Sequence, residues 1–152
     1  MNESQNDSLK DELSILIVDD NSVDRSIIKA NCAQLNCRLD TAASGPEALE
    51  KFAKHRHQLV ITDYMMEPMN GLELAKRLRE IEPKIECILV SGYSNPEVLA
   101  YVECNDLSPL VEKPIRSPIL LDQVLLTLKR FGLKTEDLKG VSDKVPEIPE
   151  LS

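Results

Sequence analysis

The chain is 152 residues long, carries a formal charge of −8 and is 42% hydrophobic, enough for one ordinary domain with a proper core. Aromatic residues make up only 3% and Trp is absent, so that core has to be built from Leu, Ile, Val and Ala. The acidic balance excludes direct DNA binding through a basic face, which would have to displace counterions from phosphates. No apolar run approaches the ~20 residues needed to span a membrane.

The polar, acidic start from Met1 to Ser14 is unlike a secretory leader, and the expected setting is the cytoplasm. Residues 1–14 hold four acids and one base, and residues 132–152 hold five acids and three bases. The two ends thus carry −3 and −2 of the total of −8, leaving −3 for the segment between them. Cys32, Cys37, Cys87 and Cys104 show no C-x-x-C pairing and are expected to be reduced structural thiols.

Two apolar patterns alternate along the chain. The first strand is predicted at Leu13–Val18, followed by a helix over Val23–Leu35. A second strand over Leu39–Ala42 leads to Ser44-Gly45-Pro46, an N-cap followed by a Pro suited to a first turn, and a helix over Pro46–Lys54. The third strand, Leu59–Thr62, precedes a helix over Leu72–Ile81 that Asn70 can cap. The fourth strand, Ile85–Val90, precedes a helix over Glu97–Glu103 with Asn95-Pro96 at its start. The fifth, Leu110–Glu112, precedes a helix over Ile119–Phe131, begun by Ser117-Pro118 and stopped by Gly132.

Five strands alternating with five helices imply an α/β fold with a parallel sheet covered on both faces. The uninterrupted runs Ile15-Leu16-Ile17-Val18 and Cys87-Ile88-Leu89-Val90 suit strands buried on both sides. One domain over residues 13–131 is expected, between an acidic mobile tail at 1–12 and an acidic tail at 132–152 that contains Pro146 and Pro149.

In such a sheet, ligands bind outside the carboxyl ends of the strands. The first strand ends in Asp19-Asp20, the third in Asp63, the fourth in Ser91-Gly92 and the fifth in Glu112-Lys113-Pro114. Taken singly, each has a plain structural explanation: a turn or cap residue for Asp63, a capping run for Asp19-Asp20-Asn21-Ser22, a surface cation for Lys113. Together they bring carboxylates, a hydroxyl and an ammonium to one edge. Clustered carboxylates repel one another and do not all stay ionised without a counter-charge. A hard cation, Mg²⁺ or Mn²⁺, is the natural one, with Lys113 as a second, fixed positive charge. A metal, a Lys, a hydroxyl and an available carboxylate suit phosphoryl transfer, with Asp63 as the nucleophile that forms an acyl phosphate.

The stretches Ile17-Val18-Asp19-Asp20-Asn21, Ile61-Thr62-Asp63-Tyr64-Met65-Met66, Met69-Asn70-Gly71, Leu89-Val90-Ser91-Gly92 and Glu112-Lys113-Pro114 resemble, in order and spacing, the receiver domain of two-component response regulators. The resemblance implies a flavodoxin-like, doubly wound (βα)5 three-layer sandwich with strand order 2-1-3-4-5. It implies that Asp63 takes a phosphoryl group from a sensor histidine kinase or a histidine phosphotransfer protein. Asp19, Asp20, Asp63 and the backbone carbonyl of Met65 would hold Mg²⁺, Ser91 and Lys113 would contact phosphoryl oxygens, and Lys113-Pro114 would be cis. Such a domain signals through protein contacts and is no enzyme beyond its own phosphoryl uptake and loss.

Two positions depart from the family pattern. Leu110 stands three residues before Lys113, where receivers usually carry Tyr or Phe, so the aromatic half of the usual switch is missing. Glu67 stands four residues after Asp63, where Pro is common; it reads either as a solvated loop residue or as a partner of a metal-bound water or of the Lys113 ammonium.

Outside the strand ends, His55-Arg56-His57 reads as an exposed loop, and Met65, Met66 and Met69 as loop and core packing. Val98, Leu99, Tyr101 and Val102 make the fourth helix apolar enough to contact an unidentified downstream partner or a second copy, through the face of the fourth helix, fifth strand and fifth helix. Nothing after Phe131 is long enough for an output domain, so a stand-alone receiver is expected. A phosphatase of the haloacid dehalogenase type would need a second Asp where Met65 stands. A pseudo-receiver with weakened switching is the alternative that Leu110 keeps open.

Overall fold

The computed structural model describes residues 13–92, 96–104 and 110–130. The expected tails lie outside these residues, as do the expected cap Asn95, the stop Gly132 and Phe131. The chain alternates β1 (Leu13–Val18), α1 (Ser22–Cys32), β2 (Cys37–Ala42), α2 (Gly45–Lys54), β3 (Leu59–Asp63), α3 (Gly71–Ile81), β4 (Glu86–Ser91), α4 (Pro96–Cys104), β5 (Val111–Glu112) and α5 (Ser117–Arg130). The strands form one parallel sheet in the order β2-β1-β3-β4-β5, the flavodoxin-like arrangement.

Local chemistry starts the helices where expected. Asn21 caps α1 by accepting from the N–H groups of Val23 and Asp24, and Ser44 caps α2 by accepting from Glu47 N. Asn70 and Glu73 close a reciprocal capping box at the start of α3. Several ends differ from expectation by one to three residues. α1 stops at Cys32 rather than Leu35, and β2 begins at Cys37 because Leu13 and Ser14 already pair with Cys37 and Arg38. Leu110 falls just before β5 and packs partly buried against the core.

Successive side chains of a strand point to opposite faces, and both faces of this sheet are apolar. Leu16 and Val18 of β1, Val60 of β3 and Leu89 of β4 pack with Phe52 of α2, Leu74 and Leu78 of α3, and Val98 and Val102 of α4. Their neighbours Ile15, Ile17, Ile61, Ile88 and Val90 face Ile28 of α1 and Leu120, Val124 and Leu128 of α5. The result is three layers, with α1 and α5 on one side and α2, α3 and α4 on the other. All four cysteines are free thiols, and burial pushes those of Cys32 and Cys87 up to about 12. Among the described residues, no helix is long and apolar enough to cross a membrane.

The expectation for His57 is corrected. It is buried, its Nε2 lies 2.8 Å from Asp40 Oδ2, and its ring stacks on Phe52, whereas His55 and Arg56 are exposed. Burial, opposed by Asp40, holds its pKa below the usual histidine range.

Candidate functional site

The order β2-β1-β3-β4-β5 places a topological switch between β1 and β3, and the crevice outside their carboxyl ends is where such sheets bind ligands. Asp19 follows β1 directly, and its N–H donates to Ala42 O at 3.1 Å. Its Oδ1 accepts from Asn21 N at 2.9 Å, and Arg25 Nη1 donates to its carbonyl at 2.7 Å. Asp63 is the last residue of β3, in register with Val90 of β4, and Tyr64 N donates to Val90 O at 2.8 Å. Ser91 ends β4 and is buried; its carbonyl accepts from Lys113 N at 2.8 Å, which ties the end of β5 to the same edge. Main-chain pairing therefore converges four strand ends.

Carboxylate oxygens of Asp19, Asp20 and Asp63 all lie within 4.8 Å of one another. Asp19 and Asp63 are buried, and Asp20 is exposed. The ammonium of Lys113 lies 2.8 Å from Asp24 Oδ2, 3.2 Å from Asp19 Oδ2 and 3.3 Å from Asp63 Oδ1. Burial, together with the charge of Asp19, pushes Asp63 up to about 6, and Lys113 offsets only part of this. Burial also raises Asp19. For Lys113, burial favours the neutral amine, but the hydrogen bond to Asp24 and the charges of Asp19 and Asp63 outweigh it and hold the ammonium above the usual lysine range.

A divalent cation fits these residues. The donors are all oxygen, the favoured set for Mg²⁺. Asp19 Oδ2 is buried and accepts no well-directed hydrogen bond, although the ammonium is 3.2 Å away. One lysine cannot balance three clustered carboxylates, and the charges of Asp19 and Asp20 add to burial in raising the pKa of Asp63.

The residues expected from the sequence are thus brought together: Asp19, Asp20 and Asp63 as a carboxylate group, Lys113 against it, and Ser91 on the adjacent strand end. Met65 is exposed in the loop after β3, so any contribution from it would come through its backbone. Glu67 is exposed, and the ammonium of Lys113 is taken by Asp24, not by Glu67. Asp24 was not expected at the site. An acid in a first helical turn is ordinary, since it complements the helix dipole, and nothing local marks it as a lysine partner. Lys113-Pro114 is cis, as the resemblance implied, and Glu67-Pro68 is cis as well.

Residues 15–125 match the response regulator receiver domain. The chain belongs to this family. The receiver is 32% identical to the two-component response regulator ORR3 of Oryza sativa subsp. indica, over 69% of this chain and 82% of that protein. It is 40% identical to the sensor protein EvgS of Escherichia coli over 48% of this chain, but spans only 6% of that much longer protein. Among solved structures, the receiver overlays on a two-component transcriptional regulator AraC from Clostridium phytofermentans with a TM-score of 0.69, 31% identity and coverage of 80% of this chain and all of that one.

Proposed function

We propose that Asp63 is the phosphoacceptor of this receiver and takes its phosphoryl group from a phosphohistidine of a sensor kinase or a histidine phosphotransfer protein. The observation that carries the reading is the trio Asp19, Asp20 and Asp63 with oxygens within 4.8 Å, and Lys113 3.3 Å from the Asp63 carboxylate. In the transfer, an Asp63 oxygen attacks phosphorus in line, an O–P bond forms, and the N–P bond to histidine breaks with its electrons returning to the imidazole. Asp19, Asp20, Asp63 and the Met65 carbonyl would hold Mg²⁺, with Mn²⁺ as a substitute; bound there, the ion neutralises developing charge on the phosphoryl oxygens. Lys113 lies where it can pair with one phosphoryl oxygen, and the Ser91 hydroxyl can donate to another.

Phosphorylation would then be read by protein contacts, through the face of α4, β5 and α5. Of the apolar residues expected to face a partner from the fourth helix, Val98 and Val102 are instead buried in the core and Leu99 is exposed, as are Ile119 and Leu126 of α5. A second copy of the domain or a downstream protein could cover that face. Incubation with Mg²⁺ and a small acyl-phosphate donor tests the phosphoacceptor role. Intact-mass spectrometry should show one added phosphoryl group on the wild-type protein, and none after chelation of the metal or in Asp63→Asn. Labelling of Asp63→Asn equal to wild type would refute the assignment.

A further inference from the structure

Lys113 has more anionic partners than phosphoryl recognition requires. Asp19 and Asp63 belong to the carboxylate trio that a cation would occupy, but Asp24 does not. Asp24 nevertheless makes the shortest contact with the ammonium, a hydrogen bond of 2.8 Å against 3.2 and 3.3 Å for the other two. It is held there by the start of α1: Asp24 N donates to Asn21 Oδ1 at 3.0 Å, and Asn21 N donates to Asp19 Oδ1 at 2.9 Å. Both partners of the Lys113–Asp24 pair are largely shielded, with side-chain exposures of 18% and 29%, so water screens the pair less than it would on the surface.

We infer that Asp24 is a positioning residue that holds the Lys113 ammonium in the unmodified protein and competes with the phosphoryl group for it. The inference rests on Asp63 being the phosphoacceptor. A cation at Asp19, Asp20 and Asp63 would satisfy two of the three carboxylates around Lys113 and leave Asp24 as the one that still claims it. A phosphoryl oxygen must then draw the ammonium away from Asp24 and accept a neighbouring negative charge as well. Asp24 thereby lowers the steady-state level of phosphorylation. Neutralising it frees the ammonium and removes the repulsion together.

Steady-state labelling at a fixed, limiting concentration of acyl-phosphate donor with saturating Mg²⁺, read by intact-mass spectrometry, tests this. Asp24→Asn should raise the ratio of phosphorylated to unphosphorylated protein by about three- to tenfold, the scale of one partly shielded charge pair. Glu67→Gln makes the same charge change in the loop after Asp63 without touching Lys113, and should leave the ratio within about twofold of wild type. The Asp24→Asn effect should also shrink in a Lys113→Ala background, where there is no ammonium to free and only the repulsion is removed. No rise in Asp24→Asn protein shown to be folded by circular dichroism would overturn the inference. So would an equal rise in Glu67→Gln, or the same rise without Lys113. The first two comparisons decide the matter if Lys113→Ala labels too weakly to measure. A wild-type protein that takes no label would instead remove the phosphoacceptor reading, and this inference with it.

Discussion

At the scale of single residues, Asp63 sits where burial and the neighbouring carboxylates work against its charge. Its pKa, raised from the ordinary 3.8 to about 6, means that the metal-free folded protein binds a proton more readily than the unfolded chain does. The contribution of Asp63 to folding stability is therefore greatest below the ordinary carboxylate pKa and falls as pH rises from about 4 through about 6. Asp19 acts in the same sense. Lys113 does not contribute to this slope, because its pKa is displaced upward from 10.5 and it stays charged throughout. Two outcomes follow for thermal or urea unfolding without divalent cations. Asp63→Asn should stabilise the protein at pH 7.5 by on the order of 1–3 kcal/mol, the scale of a carboxylate shift of this size, and this gain should be largely lost at pH 4. Mg²⁺ should raise the melting temperature of the wild-type protein clearly at pH 7.5 and much less at pH 4. The residue types at this site were legible as a set of strand-end positions. The partner of Lys113 was not, because the contact joins residues 89 positions apart and depends on how α1 lies over the end of β5.

At the scale of elements, the loop from Asp63 to α3 shows how closely packing constrains the site. Gly71 opens α3, and its N–H donates to Tyr64 O at 2.9 Å. A Cβ at this position would collide with the carbonyl oxygen of Asp63 and come within 3.0 Å of Tyr64 Cα. Because backbone cannot rotate away as a side chain can, Gly71→Ala should cost roughly 1–3 kcal/mol. It should also slow phosphoryl uptake by displacing Asp63, and chemical denaturation together with labelling kinetics would show both effects. Gly45 contrasts with it: a Cβ there meets Met69 Sδ at 2.7 Å, the flexible end of a side chain that can move. The caps Asn21, Ser44 and Asn70 were readable because capping is local chemistry. The burial of His57 was not readable. The segment is polar, and only the fold brings Phe52 under the ring and Asp40 to its Nε2.

At the scale of the whole molecule, the alternation of strands and helices was plain because β1, β3 and β4 are apolar on both faces, a pattern that parallel sheets require. Alternation alone does not fix strand order; the order 2-1-3-4-5 came with the family resemblance and is the one observed. That order is what turns four separated sequence motifs into one site, since it sets β1 beside β3 and β3 beside β4 at the same end of the sheet. On the proposed reading, this edge of the sheet serves to place a phosphoryl group on Asp63. Borohydride reduction of the acyl-phosphate-treated protein, followed by peptide mass spectrometry, tests it most directly, because an aspartyl phosphate is reduced to homoserine where it stands. Homoserine is expected at position 63, formed only when donor and Mg²⁺ are both present. Homoserine at another aspartate, or a stable phosphate on Ser91, with Asp63 unchanged, would contradict that reading.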